Sequence, residues 1–543
     1  MANELKLAPL TESDQRSTEH LVVMRDGVRL ATDVYLPDRA LWPVPTVLVR
    51  LPYDKSGRYT FLPWIGEHFT AKGFACVVQD VRGKYRSEGE RVPFFNEAND
   101  GWDTAEWIVQ QEWSDGAIGT WGDSYYGFTQ WALASLHHPA HLAMVPRVTG
   151  HHFGDMRPGG GMPTRTLLDW VVDAWAVPEL VIENGVDHNV RPAIDSTHPK
   201  LVAGKSLLSK YLEVGRRPDT FVSQLFPEGN PASQLKIPAL HTGGWFDNLQ
   251  YWQLDDWYAS LNAPAAAHQF LRMWSNDHED YLWREAGEPL GSDFGETEDA
   301  LREHIPRLLG EVVSFFDHYL RRTPGRWTAP TVEYEHVRIG RRIAAEWPPK
   351  RVRVRNLVLD DGQLTDPERP RITESVSWVH DPRNPVPYLM ESEWDQNRPG
   401  LPDEQHLHQR DDVATFTSES LVDPLDIVGR VEFTARIAAE TERTHVMVRL
   451  CDVAPDGSAR VVLANAVEVL ADGETPFAVR LGDNAYRFPK GHRMRLAIST
   501  SLHGQYVVHP GTDEDAWLAT ETKAARQELH LAGAELRFTQ DCS

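Results

Sequence analysis

The sequence predicts a doubly wound α/β domain, interrupted by a helical insertion and followed by a second domain made of β-strands. Three observations carry this. Short apolar runs alternate with helical segments up to residue 154. The alternation pauses over a mostly helical stretch at 155–235 and then resumes. After residue 325 the chain turns β-rich.

Residues 21–36 hold two alternating runs around Asp26-Gly27, the signature of an antiparallel hairpin. The apolar run at 45–50 suits a strand buried on both faces. Residues 67–72 read as helix and 74–78 as a second buried strand, with Cys76 in the core. At 100–111, Ala105, Ile108 and Val109 fall at helical spacing. A strand at 117–121 and a helix at 125–136 follow, and the pattern resumes with strands at 237–241 and 268–273. An insertion between core strands would sit as a cap over the C-terminal edge of the sheet. A helix at 311–320 is expected to be closed by Arg321-Arg322 against its C-terminal dipole. Beyond it, β-rich runs at 431–435, 444–450 and 493–498 are separated by turns such as Pro455-Asp456-Gly457, the layout of a β-sandwich or jelly roll. The expected segments are therefore 1–154 and 236–325 for the core, 155–235 for the cap and 326–543 for the β-domain.

A chain of 543 residues exceeds what one hydrophobic core serves, in keeping with several domains. The net charge of −24 disfavours nucleic acid and anionic membrane partners. Three scattered cysteines make neither a disulfide framework nor a cysteine-based zinc site. The first residues lack the layout of a signal peptide, and no run of 18 apolar residues occurs, so a cytoplasmic protein is expected. His137-His138 and His151-His152 lack the spacing of a metal site and read as solvated or structural, so no metal is expected. Glu279, Asp280 and the run from Glu296 to Asp299 read as exposed faces or helix starts.

The sharpest local signal is Gly122-Asp123-Ser124-Tyr125-Tyr126-Gly127, placed between a strand and a helix. A nucleophilic serine needs such a tight turn, with helix-end N–H groups facing a developing oxyanion. The same residues also fit a glycine-rich connection holding an ordinary serine.

Context separates the two. The turn resembles the G-x-S-Y-x-G motif of the CocE/NonD group of hydrolases, which includes cocaine esterase and X-Pro dipeptidyl-peptidase types. Three further blocks resemble that group in the same order. They are Arg50-Leu51-Pro52-Tyr53, Gln79 to Gly83 with Ser87 and Gly89, and Glu97 to Thr104 followed by Glu106-Trp107. The resemblance covers nearly the whole chain and implies an α/β-hydrolase domain with an inserted helical cap and a C-terminal jelly roll.

It also implies roles. Ser124 would be the nucleophile. Asp247, in a loop resembling the family's G-W-x-D, would be the orienting acid, and His278, after the next strand, the base. Here Arg272-Met273 stands where the family has Gly-Pro, and His278 follows Trp274 by four residues instead of two. The Tyr125 N–H and the Tyr53 hydroxyl would form the oxyanion hole. Trp170 and Leu249 would line the acyl pocket, although a tryptophan on an amphipathic helix also suits a core. Leu249 and Gln250 stand where the branch cleaving α-amino acid esters has acids that bind an ammonium group, which argues against that specificity.

The expected activity is hydrolysis of a small-molecule ester or amide through an acyl-enzyme, without a cofactor. An X-Pro dipeptidyl-peptidase-like amidase is the alternative. A non-catalytic binding protein stands third, and the intact Ser, Asp, His and Tyr set argues against it. The resemblance also allows a homodimer.

Overall fold

A computed structural model describes residues 4–11, 16–57, 60–152, 164–215, 218–278, 298–321, 327–368, 373–389 and 402–542. Two short strands, β1 (Lys6–Leu7) and β8 (Val181–Glu183), pair as a ribbon. The main sheet contains β2 (Thr18–Val23), β3 (Arg29–Tyr35), β4 (Val44–Leu51), β5 (Ala75–Asp80), β6 (Ser114–Asp123) and β7 (His141–Arg147). It continues with β9 (Ala239–Gly244), β10 (Gln269–Trp274), β11 (Val332–His336) and β12 (Gly340–Ala344). Their spatial order is β12-β11-β10-β9-β7-β6-β4-β5-β3-β2. Neighbours from β5 to β11 are parallel, and both edges are antiparallel. The hairpin expected around Asp26-Gly27 is the β2–β3 edge.

The helices are α1 (Leu62–Ala71), α2 (Glu97–Val109), α3 (Ser124–Ser135), α4 (Arg165–Trp175), α5 (Val202–Gly215), α6 (Pro218–Leu225), α7 (Gln250–Ser260) and α8 (Glu298–Tyr319). The period of two along each strand sorts the core onto two faces. Val47, Val49, Cys76 and Val78 pack with Phe69 of α1 and Phe315 and Phe316 of α8. Leu48, Ala75, Val77 and Ile118 pack with Ala105 and Ile108 of α2 and Leu133 of α3. Gly119 lets α8 lie flat on β6, because a Cβ there would stand 2.7 Å from the Phe316 ring.

Two expectations are revised here. The helix ending at Tyr319 starts at Glu298, well before residue 311, and carries Pro306 inside it. Arg321 pairs with Asp317 at 3.1 Å, but it also donates to the Lys72 and Gly73 carbonyls, so it ties α8 to the turn after α1. Glu279, Asp280, Glu296, Thr297 and Arg322 lie outside the described residues, as does 155–163 of the expected cap.

A second sheet is formed by strands between Val352 and Asp541. Its long strands Leu425–Ala439 and Ala525–Asp541 pair antiparallel, and the strands at the two ends of its order, Ala459–Leu470 and Thr475–Phe488, lie against each other. Its core continues into the main sheet. Val431, Phe433, Leu536 and Phe538 share one apolar cluster with Trp245, Phe246, Leu271, Met273 and Tyr334. Among the described residues, no helix is long and apolar enough to cross a membrane.

The loop after β4 is pinned by buried charge. Lys55 is fully buried and pairs with Asp33 at 2.8 Å and Glu19 at 2.7 Å, while its N–H donates to Asp80. Removing one partner of a buried pair strands the other charge, a cost of about 3–5 kcal/mol. Lys55→Met is therefore expected to lower the thermal unfolding midpoint by several degrees, measured by calorimetry.

Burial pushes the Asp80 carboxyl up to about 7. Between about pH 4 and 7 the folded chain keeps a proton that the unfolded chain releases, so this group's stabilising contribution falls as pH rises through that window. Denaturant midpoints measured across pH 4–7 are expected to show a downward wild-type-minus-variant difference when compared with Asp80→Asn.

Candidate active site

Strand β6 runs directly into α3, and the junction is Ser124, with φ at +52°. A non-glycine residue in this region signals stored strain and needs support from its surroundings. The support is local. A Cβ on Gly122 would stand 2.4 Å from the Tyr126 ring, and one on Gly127 would stand 2.5 Å from Thr149. The two glycines thus have separate tasks: Gly122 makes room for Tyr126, and Gly127 admits Thr149, whose hydroxyl donates to the Ser124 carbonyl at 2.7 Å. Gln130, buried in α3, donates to the Gly122, Tyr126 and Val145 carbonyls and accepts from the Val145 N–H. Asp123 turns to a buried pair with Arg147 at 2.9 Å and accepts from the Tyr126 hydroxyl.

Sheet register brings the other expected residues to the same edge. Asp123 is level with Arg147, Arg147 with Thr242, and Thr242 with Arg272. Ser124 follows Asp123 directly, Asp247 stands five residues past Thr242, and His278 six past Arg272. His278 Nδ1 lies 3.0 Å from Asp247 Oδ1, and both side chains are buried. The same carboxylate oxygen accepts the Leu249 N–H at 2.8 Å.

The unusual length of the His278 loop is accommodated by Gly244. The Asp247 and His278 loops cross there, with Trp245 N–H donating to Trp274 O and Phe246 N–H to Asn276 O. A Cβ on Gly244 would stand 2.2 Å from the Asn276 carbonyl oxygen. Arg272, in place of the family's glycine, turns away to pair with Glu311 of α8 at 2.7 Å.

Tyr53 lies just past the end of β4, 8% exposed, and its hydroxyl accepts a hydrogen bond from Trp170 Nε1 at 2.9 Å. The Trp170 ring stands beside Phe94 and Tyr125, with centroids at 5.6 and 5.7 Å. The Tyr125 side chain is held by the core: its hydroxyl accepts from Phe94 N–H at 2.7 Å and donates to Glu97 at 2.9 Å. Glu97 pairs in turn with buried Arg50, and burial raises its pKa. Tyr53, Tyr125 and Trp170 are thus brought together.

Leu249 is buried at the start of α7 within the main core. Gln250 beside it donates to Trp245 O at 2.8 Å and Asp483 O at 2.6 Å, and accepts from Asp483 N–H at 3.1 Å. It is a tie between the acid loop and the second sheet.

Sequence reasoning missed Gln130, Thr149 and Lys84, and it named Gln250 without its tie to the second sheet. Lys84 is buried and donates to the carbonyls of Ala174, Val177 and Glu179, at the C-terminal end of α4. A polar residue inside the apolar stretch of α3 was the available signal for Gln130. Nothing local announces the others. Of the two readings offered for the paired histidines, His138 and His151 take the structural one: both are buried, and they pair with Glu106 and Asp256.

Glu404, His408 and Cys451 of the second sheet have ligand atoms within 4.8 Å of one another. Arg449 pairs with Glu404 at 2.8 Å, and Arg495 donates to His408 Nδ1 at 3.2 Å, which puts the proton of a neutral ring on Nε2, the nitrogen turned to Glu404 and Cys451.

Residues 26–278 match the family model for X-Pro dipeptidyl-peptidase (S15 family), and residues 325–537 match that for the X-Pro dipeptidyl-peptidase C-terminal non-catalytic domain. The first match ends on His278. The cocaine esterase of Rhodococcus sp. (strain MB1 Bresler) is 29% identical, with 90% of this chain and 91% of that protein covered. Two solved structures share the fold. An aminopeptidase from the marine sediment archaeon Thaumarchaeota archaeon has a TM-score of 0.79 at 22% identity, covering 99% of this chain and 98% of that one. An α-amino acid ester hydrolase, solved with selenomethionine, has a TM-score of 0.79 at 23% identity, covering 98% of each.

The chain is therefore an enzyme of the serine hydrolase class, with an N-terminal catalytic part on a mixed sheet and a separate C-terminal domain. Within that class it belongs to the CocE/NonD group, the cocaine esterase and X-Pro dipeptidyl-peptidase-like hydrolases.

Gly244→Ala tests the loop crossing. The added Cβ must move the Asn276 carbonyl, and a displacement of about 1 Å at a reacting group can cost about 100-fold in rate. A fall in kcat of that order is expected, with the protein still folded by circular dichroism.

Proposed function

We propose that this chain hydrolyses a small-molecule ester through an acyl-enzyme. Ser124 is the nucleophile, His278 the general base and Asp247 the acid that orients it. The hydrogen bond between Asp247 and His278, on loops that reach the sheet edge carrying the Ser124 turn, is the observation that supports this most.

The chemistry follows from that pairing. Asp247 accepts the Nδ1 proton of His278, so Nε2 is the atom that takes the Ser124 hydroxyl proton as Oγ attacks the carbonyl. The tetrahedral oxyanion is received by the Tyr125 N–H, at the start of α3, and by the Tyr53 hydroxyl. His278 then protonates the leaving alkoxide. Water, deprotonated by the same nitrogen, releases the acid. No metal or organic cofactor enters any step.

Residues 1–154 with 236–325 form an α/β-hydrolase core in this reading, 155–235 its helical cap and 326–543 a jelly roll, except that β11 and β12 at 332–344 extend the core's own sheet. Trp170 on α4 and Leu249 border the acyl pocket, whose aromatic wall of Phe94, Tyr125 and Trp170 favours an apolar or aromatic acyl group.

The X-Pro dipeptidyl-peptidase match favours amide cleavage as a second reading. An N-terminal dipeptide needs a carboxylate for its ammonium, and Leu249 and Gln250 offer none.

Intact mass after incubation with a fluorophosphonate tests the mechanism. One adduct is expected on the wild type and none on Ser124→Ala. Adduct on both, or on neither, would remove Ser124 from its role. Rates on p-nitrophenyl esters against an alanyl-prolyl anilide then separate the two substrate classes, and the esters are expected to be faster.

A further inference from the structure

We propose that Trp170 acts on the reaction through Tyr53, as a positioning residue that aims the phenol proton at the oxyanion. This rests on the reading of Tyr53 as an oxyanion donor.

An indole nitrogen carries one hydrogen and no acceptor capacity. In the 2.9 Å contact between Trp170 Nε1 and the Tyr53 oxygen, the phenol must therefore be the acceptor. Its own proton is turned to another direction, and a phenol that accepts a hydrogen bond becomes a stronger donor. Tyr53 is 8% exposed, so little water competes for either position.

The aim of the indole is fixed independently. Its ring lies beside Phe94 and Tyr125 at interplanar angles of 35° and 30°, and close to Trp175. Tyr125 is itself held through Phe94 N–H and Glu97. The far end of the helix is clamped where Lys84 gathers the carbonyl of Ala174, an orphan acceptor of the last helical turn, with those of Val177 and Glu179 in the segment that follows. The Tyr53 loop is fixed from the other side by the buried pair of Lys55 with Asp33. Both partners of the Trp170–Tyr53 bond are thus anchored before substrate arrives, as preorganised stabilisation of an oxyanion requires.

An acyl contact and a positioning contact differ in what they change. An acyl contact scales with the size of the acyl group and is felt in KM. A positioning contact is felt in kcat for any acyl group, and only while the Tyr53 hydroxyl is present.

The test is a double-mutant cycle on p-nitrophenyl acetate, an ester too small to gain from an aromatic wall. Trp170→Phe is expected to lower kcat about tenfold with KM within about twofold, in line with a partial loss of a donor whose complete removal costs about 100- to 1000-fold. In a Tyr53→Phe background the same change is expected to cost less than about twofold. Replacing Trp170 by benzothienylalanine keeps the ring shape and removes only the N–H, and is expected to reproduce the Trp170→Phe loss. Fluorophosphonate stoichiometry near one per chain shows that each variant is folded. Equal losses in both backgrounds, an effect confined to KM, or full activity with benzothienylalanine would overturn the proposal. Full activity of Tyr53→Phe alone would instead remove Tyr53 from the oxyanion hole.

Discussion

The structure turns on the backbone at Ser124, held at φ +52° where an L-residue is disfavoured by about 1–2 kcal/mol. A strand that passes into a helix through one such residue sets the side chain at the apex of the turn and leaves the first helical N–H groups pointing at the same space. Keeping it there takes partners on both sides. Gln130 reaches back from α3 to the Gly122 carbonyl and across to β7, so one buried amide fastens the end of β6, the start of α3 and the neighbouring strand. Thr149 closes the other side through the Ser124 carbonyl. The spacing of the two glycines about Ser124 follows from this. Tyr126 fills the space above Gly122, and Gly127 yields its own to Thr149.

The second constraint is that the Asp247 and His278 loops have to pass without displacing each other. Trp245 and Phe246, immediately before Asp247, sit in the apolar core shared with the second sheet, and the Trp245 ring lies 4.8 Å from that of Trp347. The Trp245 N–H groups are spent on Trp274 O and Glu335 O. The loop that carries Asp247, the orienting carboxylate of the proposed mechanism, is thereby anchored in the core of the C-terminal region. In that mechanism the region's contribution is mechanical: it fixes where Asp247 can be.

Much of this was legible in the sequence, for physical reasons that also explain what was not. The strand-to-helix turn at Ser124 declares itself because it is built from adjacent residues. That Asp247 and His278 come to the same edge follows from strand order, since parallel strands deliver their next loops to one edge. The extra residues before His278 left the loop geometry open, because what accommodates them is Gly244, on another strand and only close in space. His151 pairs with Asp256, which is 105 residues away, so no local pattern could mark it as buried. Arg321 was assigned to its own helix end, where sequence proximity pointed, while the Lys72 and Gly73 carbonyls that it also serves are nearly 250 residues distant. Local patterns specify turns and strand ends; the ties between them are long-range.

Gln250 shows how such a tie can bear on specificity. Its side-chain amide donates to the Trp245 and Asp483 carbonyls and accepts from the Asp483 N–H, a pairing that uses both halves of the amide. A carboxylate has only acceptors. Placed at 250 it would face two carbonyl oxygens at the amide's donor positions, in a buried setting where unpaired polar groups are costly. An acid that binds an ammonium group from this position would have to leave the second sheet, and the Asp247 loop would lose that anchor. The choice of residue at 250 therefore bears on the docking of the C-terminal domain, and this chain has committed that position to docking.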